Sequence, residues 1–139
     1  MSHSVYRPII IGLSGPTLSA SECDWIERLQ PYGFIVFRRN ITSPDQVSAL
    51  TDTLVQLAGR DCPIFIDQEG GRVQRLGPPH WPALPSPLTI GQRWRRNAFE
   101  GLTLAHALGQ VIGHQLASLG ITHTCAPCLD LAIDGADPV

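Results

Sequence analysis

The sequence predicts an α/β fold, because short apolar β-rich runs and helical patterns alternate four times along the chain, and its most apolar run, Gly33-Phe-Ile-Val-Phe37, is uninterrupted in the way a strand buried on both faces requires. The first strand reads from Tyr6 to Leu13 and stops at the turn residues Ser14, Gly15 and Pro16. A helix opens at Ser19, which is placed to cap it, with Glu22 three residues on to complete a capping box. After the Gly33–Phe37 strand, Ser43-Pro44 starts a second helix. Pro44 sits where its missing N–H costs nothing, Val47, Leu50, Leu54, Leu57 and Ala58 follow at helical spacing, and Gly59 ends the element. Pro63 to Asp67 reads as a third strand and is followed by a Gly- and Pro-rich stretch to Pro87 that predicts a loop. A long helix is expected from Leu102 to Leu119, stopped by Gly120, and a last strand from Thr122 to Pro127.

Alternation of this kind builds right-handed βαβ units, which occur in open doubly wound sheets and in closed eight-fold barrels. Four units make half of such a barrel, and a closed one takes about 250 residues. The chain has 139 residues, so a barrel reading makes it the leading half of a truncated one, with exposed edges expected near Gly33 and Thr122. It is 43% hydrophobic and 16% charged, which suits a single unit with a core. A net charge of −2 gives no footprint for nucleic acid or an anionic membrane. The apolar run near the N-terminus is too short for a secretory signal or a spanning helix, so a cytoplasmic location is the expectation, with Cys23, Cys62, Cys125 and Cys128 reduced and mostly buried.

The chemistry concentrates in Asp67-Gln-Glu-Gly-Gly-Arg-Val-Gln-Arg75, directly after the third strand. Loops at the carboxyl ends of parallel strands build ligand sites in both architectures. A carboxylate there can accept from two adjacent hydroxyls, an arginine fork can donate to two oxygens, and Gly70 and Gly71 allow close approach of the backbone. The plainer reading is that Asp67 caps a turn while Arg72 and Arg75 are loop charges paired with Glu69.

The nine-residue string resembles the signature of family 3 glycoside hydrolases of the bacterial β-N-acetylglucosaminidase type. Phe37-Arg-Arg-Asn40 is similar to that family's Phe-x-Arg-Asn turn, and Cys125-Ala-Pro-Cys-Leu-Asp-Leu131 resembles its Ala-Pro-x-Leu-Asp strand end. The resemblance runs from about residue 7 to the end. It implies that residues 1–139 are the N-terminal part of a (β/α)8 catalytic barrel, with Asp67 and Arg75 as substrate-binding residues. It further implies a retaining β-N-acetylhexosaminidase acting on terminal N-acetylglucosamine of anhydro-muropeptides during peptidoglycan recycling, without a cofactor. The family's third contact arginine, its acid/base histidine and its nucleophilic aspartate would fall beyond Val139, so no catalytic residue is expected in this chain. Asp130 is a structural residue in the family pattern. The alternative is a non-catalytic half barrel that binds sugar weakly at most.

Other signals point elsewhere with less force. Cys125-x-x-Cys128 beside His123 could be a redox pair or half of a zinc site, but the remaining ligands are lacking and packing is the simpler role. His106 and His114 on the long helix receive no role. Asn40-Ile-Thr42 matches a glycosylation sequon, which is idle without secretion. Trp81, in a Pro-rich run, could stack on a sugar or cover a helix end. Neither a Gly-x-Gly-x-x-Gly string nor a P-loop occurs.

Overall fold

The computed structural model describes residues 6–129. Four parallel strands form one sheet in the order β1 (Arg7–Gly12), β2 (Pro31–Val36), β3 (Ile64–Ile66) and β6 (His123–Thr124), so each new strand joins the side the previous one left open. The sequence order is also the spatial order, as in barrels. A two-stranded antiparallel hairpin, β4 (Gln68–Gly70) and β5 (Val73–Gln74), grows directly out of β3. Among the described residues the edges are β1 and β6; the strand containing Gly33 is internal, so the edge expected there is corrected to β1, whose Ile9 and Ile10 are exposed.

The helices form where the signals lie. Ser19 caps α1 (Ala20–Leu29) in a complete capping box, with its hydroxyl receiving the Glu22 N–H and the Glu22 carboxylate receiving the Ser19 N–H at 2.8 Å. Ser43 caps α2 (Pro44–Ala58) with Pro44 in its first turn, and Gly59 closes it at φ 63°. The loop expected to run to Pro87 ends there, and Ser86-Pro87 opens a helix not expected from the sequence, α3 (Pro87–Arg96), by the same device as Ser43-Pro44. Asn97 then caps α4 (Ala98–Ala117), which starts earlier than its apolar spacing suggests. The two helices meet so closely that a Cβ on Gly101 would lie 2.4 Å from Trp94 Cα.

Strand periodicity sorts the sheet into two faces. Phe34, Val36, Ile64 and Ile66 are fully buried and pack with Ile26 of α1, Val47, Leu50 and Leu54 of α2, and Ile112 and Leu116 of α4. The other face carries Ile35, Phe65 and His123, which are half-buried or exposed, and the Phe65 and His123 rings sit 4.7 Å apart. Burial of the second strand on both faces is therefore corrected to burial on one. Trp81 is 8% exposed within the main core, which makes it a packing residue and removes it from sugar contact. No helix of the described residues is long and apolar enough to cross a membrane.

Candidate functional site

Three loops leave the carboxyl ends of β1, β2 and β3, and polar side chains stitch them together. Asn40 is fully buried; its amide donates to Leu13 O at 3.1 Å and Gly15 O at 2.8 Å, and its oxygen accepts the Phe37 N–H at 2.9 Å. Arg39 Nε adds a bond to Leu13 O at 2.8 Å while its guanidinium lies over the Phe37 ring. The Phe-Arg-Arg-Asn turn is thus a structural joint between the first two loops, and Asn40 is too enclosed to serve as a glycosylation acceptor.

Glu22 performs the same task for the first loop, its carboxylate accepting from the Ser14 and Ser19 N–H groups and from both hydroxyls. Burial works to raise its pKa, but these four donors outweigh it and hold the carboxyl at about 2.

The third loop carries Asp67, at the end of β3 on the face shared with Phe65. The hairpin turns back through Gly70 at φ 95° and Gly71 at φ 62°, where a Cβ would meet Pro85 O at 2.3 Å and Ser86 Cβ at 2.6 Å respectively. Only glycines fit that turn, and it returns the chain so that Arg75 Nη2 donates to Asp67 Oδ2 at 2.7 Å, both side chains being mostly covered. The two residues singled out from the sequence are therefore brought together. The plainer pairing of Arg75 with Glu69 does not occur. Arg75 Nε is buried with no partner among the described residues, and so is Glu69 Oε2.

Residues that the sequence did not single out hold this arrangement. Gln68 is fully buried, its carbonyl oxygen accepting the Arg75 N–H at 3.0 Å and the Leu76 N–H at 2.9 Å while its amide donates to Leu76 O at 3.0 Å. Gln74 Nε2 reaches Leu76 O at 2.6 Å and Pro82 O at 2.7 Å. Strand alternation could have found Gln68, since it falls on the same inward face as Ile64 and Ile66.

Cys125 follows β6 beside Asp67, with its N–H bonded to Ile66 O at 3.0 Å. Partial burial, a hydrogen bond to the Asp67 carboxylate and the negative charges of Asp67 and Glu69 all push its thiol above the usual range, so it is protonated at neutral pH. Cys125 is exposed and Cys128 half-buried, which corrects the expectation that most of the thiols are buried. Among the described residues no group of three or more His, Cys, Asp and Glu gathers as metal ligands. His106 and His114 are exposed on α4, and Asp130 lies outside the described residues. A mainly apolar cavity of about 800 Å³ opens along α4, lined by Leu108, Ile112, Leu116, Ile121 and Glu69, with neither Asp67 nor Arg75 in its lining.

The chain is 36% identical over 124 residues to a beta-hexosaminidase of Alkalilimnicola ehrlichii, covering 89% of this chain and 35% of that protein. It thus spans about a third of the length of the curated relatives it matches. Its fold matches NagZ of Neisseria gonorrhoeae, solved in complex with N-trifluoroacetyl-D-glucosamine, with a TM-score of 0.85 and 30% identity over 94% of this chain and 38% of that one. A family 3 beta-N-acetylglucosaminidase from Paenibacillus is similar at a TM-score of 0.77 and 33% identity, over 88% of this chain and 23% of its own. The model of the glycosyl hydrolase family 3 N terminal domain matches residues 10–139, and the chain belongs to that family.

Proposed function

We propose that this chain supplies the sugar-gripping side of a β-N-acetylhexosaminidase that releases terminal non-reducing N-acetylglucosamine. The observation that carries this reading is the Asp67–Arg75 pair at the carboxyl end of β3, in a chain whose relatives are beta-hexosaminidases and one of which was solved with an N-acylated glucosamine. An ionised carboxylate has about four acceptor positions, of which Arg75 and the Cys125 thiol occupy two, so Asp67 retains capacity for two neighbouring hydroxyls. The Arg75 Nε, unpartnered among the described residues, is the matching donor for a sugar oxygen. Gly70 and Gly71 let the hairpin that carries Arg75 pack against Pro85 and Ser86.

The chemical step in this reading is retaining hydrolysis. A carboxylate attacks the anomeric carbon and the aglycone leaves with a proton from an acid; water then attacks the anomeric carbon of the glycosyl-enzyme, breaking its bond to the carboxylate and giving one of its own protons to the group that acted as acid. Both groups belong to sequence following residue 139, and the role of Asp67 and Arg75 is to hold the ring. The physiological setting we propose is cytoplasmic peptidoglycan recycling, with anhydro-muropeptides as substrates.

The test joins this chain to the remaining sequence of the Alkalilimnicola ehrlichii relative and follows an aryl β-N-acetylglucosaminide. Turnover with retention of anomeric configuration is expected from the joined protein and none from the 139-residue chain alone. Turnover by the chain alone, abolished by Asp67→Ala, would overturn the assignment of the catalysts to later sequence; a joined, folded protein without activity would overturn the function.

A further inference from the structure

We infer that Arg38 and Gln68 are positioning residues that clamp the backbone N–H and carbonyl of Arg75, on either side of its Cα, and so aim its guanidinium at Asp67; this rests on the sugar-binding reading above. The β4–β5 ladder pairs Gln68 with Gln74 and Gly70 with Val73, so it ends one residue before Arg75. Backbone groups beyond the end of a ladder have no strand to satisfy them, and here two side chains do so instead. Gln68 Oε1 accepts the Arg75 N–H at 3.0 Å from the buried side. Arg38 Nη1 donates to the Arg75 carbonyl oxygen at 2.8 Å from the exposed side.

Direction matters because a guanidinium stands several bonds from its own Cα, so a small tilt of the peptide becomes a large displacement at Nη2. Arg38 comes from the 3-10 turn Arg38–Asn40 after β2, the turn that Asn40 and Arg39 fasten to the first loop. The clamp therefore transmits the position of the second loop to the third. A bond from an exposed arginine to a carbonyl contributes little to folding stability, which separates a positioning role from a structural one.

The joined protein described above is assayed with Arg38→Ala, Arg38→Lys and Gln68→Met, each alone and with Arg75→Ala. Arg38→Ala is expected to raise KM by about three- to tenfold with kcat within about twofold, the pattern of lost uniform binding, and Arg38→Lys to stay near the parent because an ammonium still reaches the carbonyl. In the Arg75→Ala background, Arg38→Ala should add less than about 1.5-fold, since its effect passes through the missing guanidinium. An unchanged KM in Arg38→Ala, or effects that multiply, overturns the clamp. Gln68→Met should show the same non-additivity, and if it does not fold the Arg38 cycle decides alone. An Asp67→Ala protein with parental KM would defeat the sugar-binding reading itself, whereas a loss in Asp67→Ala with additive Arg38 effects defeats only the clamp. In the chain by itself, solvent exchange of the Arg75 Nε–H should rise by at least about fivefold in Arg38→Ala; unchanged exchange contradicts the clamp there as well.

Discussion

Arg75 Nη2 lies 2.7 Å from Asp67 Oδ2 although the two residues are eight positions apart, and the hairpin between them exists to close that distance. Gly70 and Gly71 make the turn, Gln68 fastens the returning strand, and the pair ends half-buried at the carboxyl end of β3. A planar fork that gives one prong to Asp67 and keeps Nε unpartnered among the described residues is arranged to share a ligand with that carboxylate.

Replacing the fork should be costly even when charge is kept. In the joined protein, Arg75→Lys is expected to lower kcat/KM by about tenfold, because an ammonium cannot span a carboxylate and a sugar oxygen in one plane. Parental steady-state kinetics in that variant would make Arg75 a loop charge only.

Glu22 gives the fold a defined acid sensitivity. Its folded pKa of about 2 lies below the ordinary value of 4.5, so its contribution is present above pH 4.5 and is lost as the pH falls toward 2. That contribution is roughly 1–3 kcal/mol. Thermal melts of the parent should therefore fall across this window by more than those of Glu22→Gln, which should be less stable than the parent at pH 7 and flatter between pH 4.5 and 2. Parallel pH curves for the two proteins would show that the Ser14 and Ser19 donors do not carry the effect.

Cys125 reports on the charge of its neighbour. Since the Asp67 hydrogen bond and charge help keep the thiol protonated, Asp67→Asn should lower its pKa and speed alkylation by iodoacetamide at pH 7.5, in this chain without any joined sequence. Cys125→Ser provides the background rate from Cys23, Cys62 and Cys128. A slower or equal rate at Cys125 in Asp67→Asn would mean the carboxylate does not act on the thiol.

The order of the first three strands and the helices between them was legible because each of those helices begins with a short polar cap and β1, β2 and β3 each hold a compact apolar run. Ser19 with Glu22 and Ser43 with Pro44 mark helix starts that the structure reproduces. The missed helix, α3, carried the same mark at Ser86-Pro87, but the prolines before it weighted the reading toward a loop. The second face of the sheet was misjudged because an apolar strand reads alike whether one or both faces are covered, and Ile35 and Phe65 are half-buried. Asp67 and Arg75 stood out through the motif, whereas Arg38 and Gln68 did not, because their role depends on backbone groups of a distant residue and sequence spacing carries no trace of that.

The most direct test of the account is the kcat/KM of Asp67→Ala in the joined protein with an aryl β-N-acetylglucosaminide. A charged acceptor to sugar hydroxyls contributes about 1.5–3 kcal/mol, so a fall of at least about tenfold is expected, with circular dichroism and melting temperature near the parent's. A change of less than about threefold, in a protein that folds as the parent does, would contradict the placement of the sugar at Asp67 and Arg75.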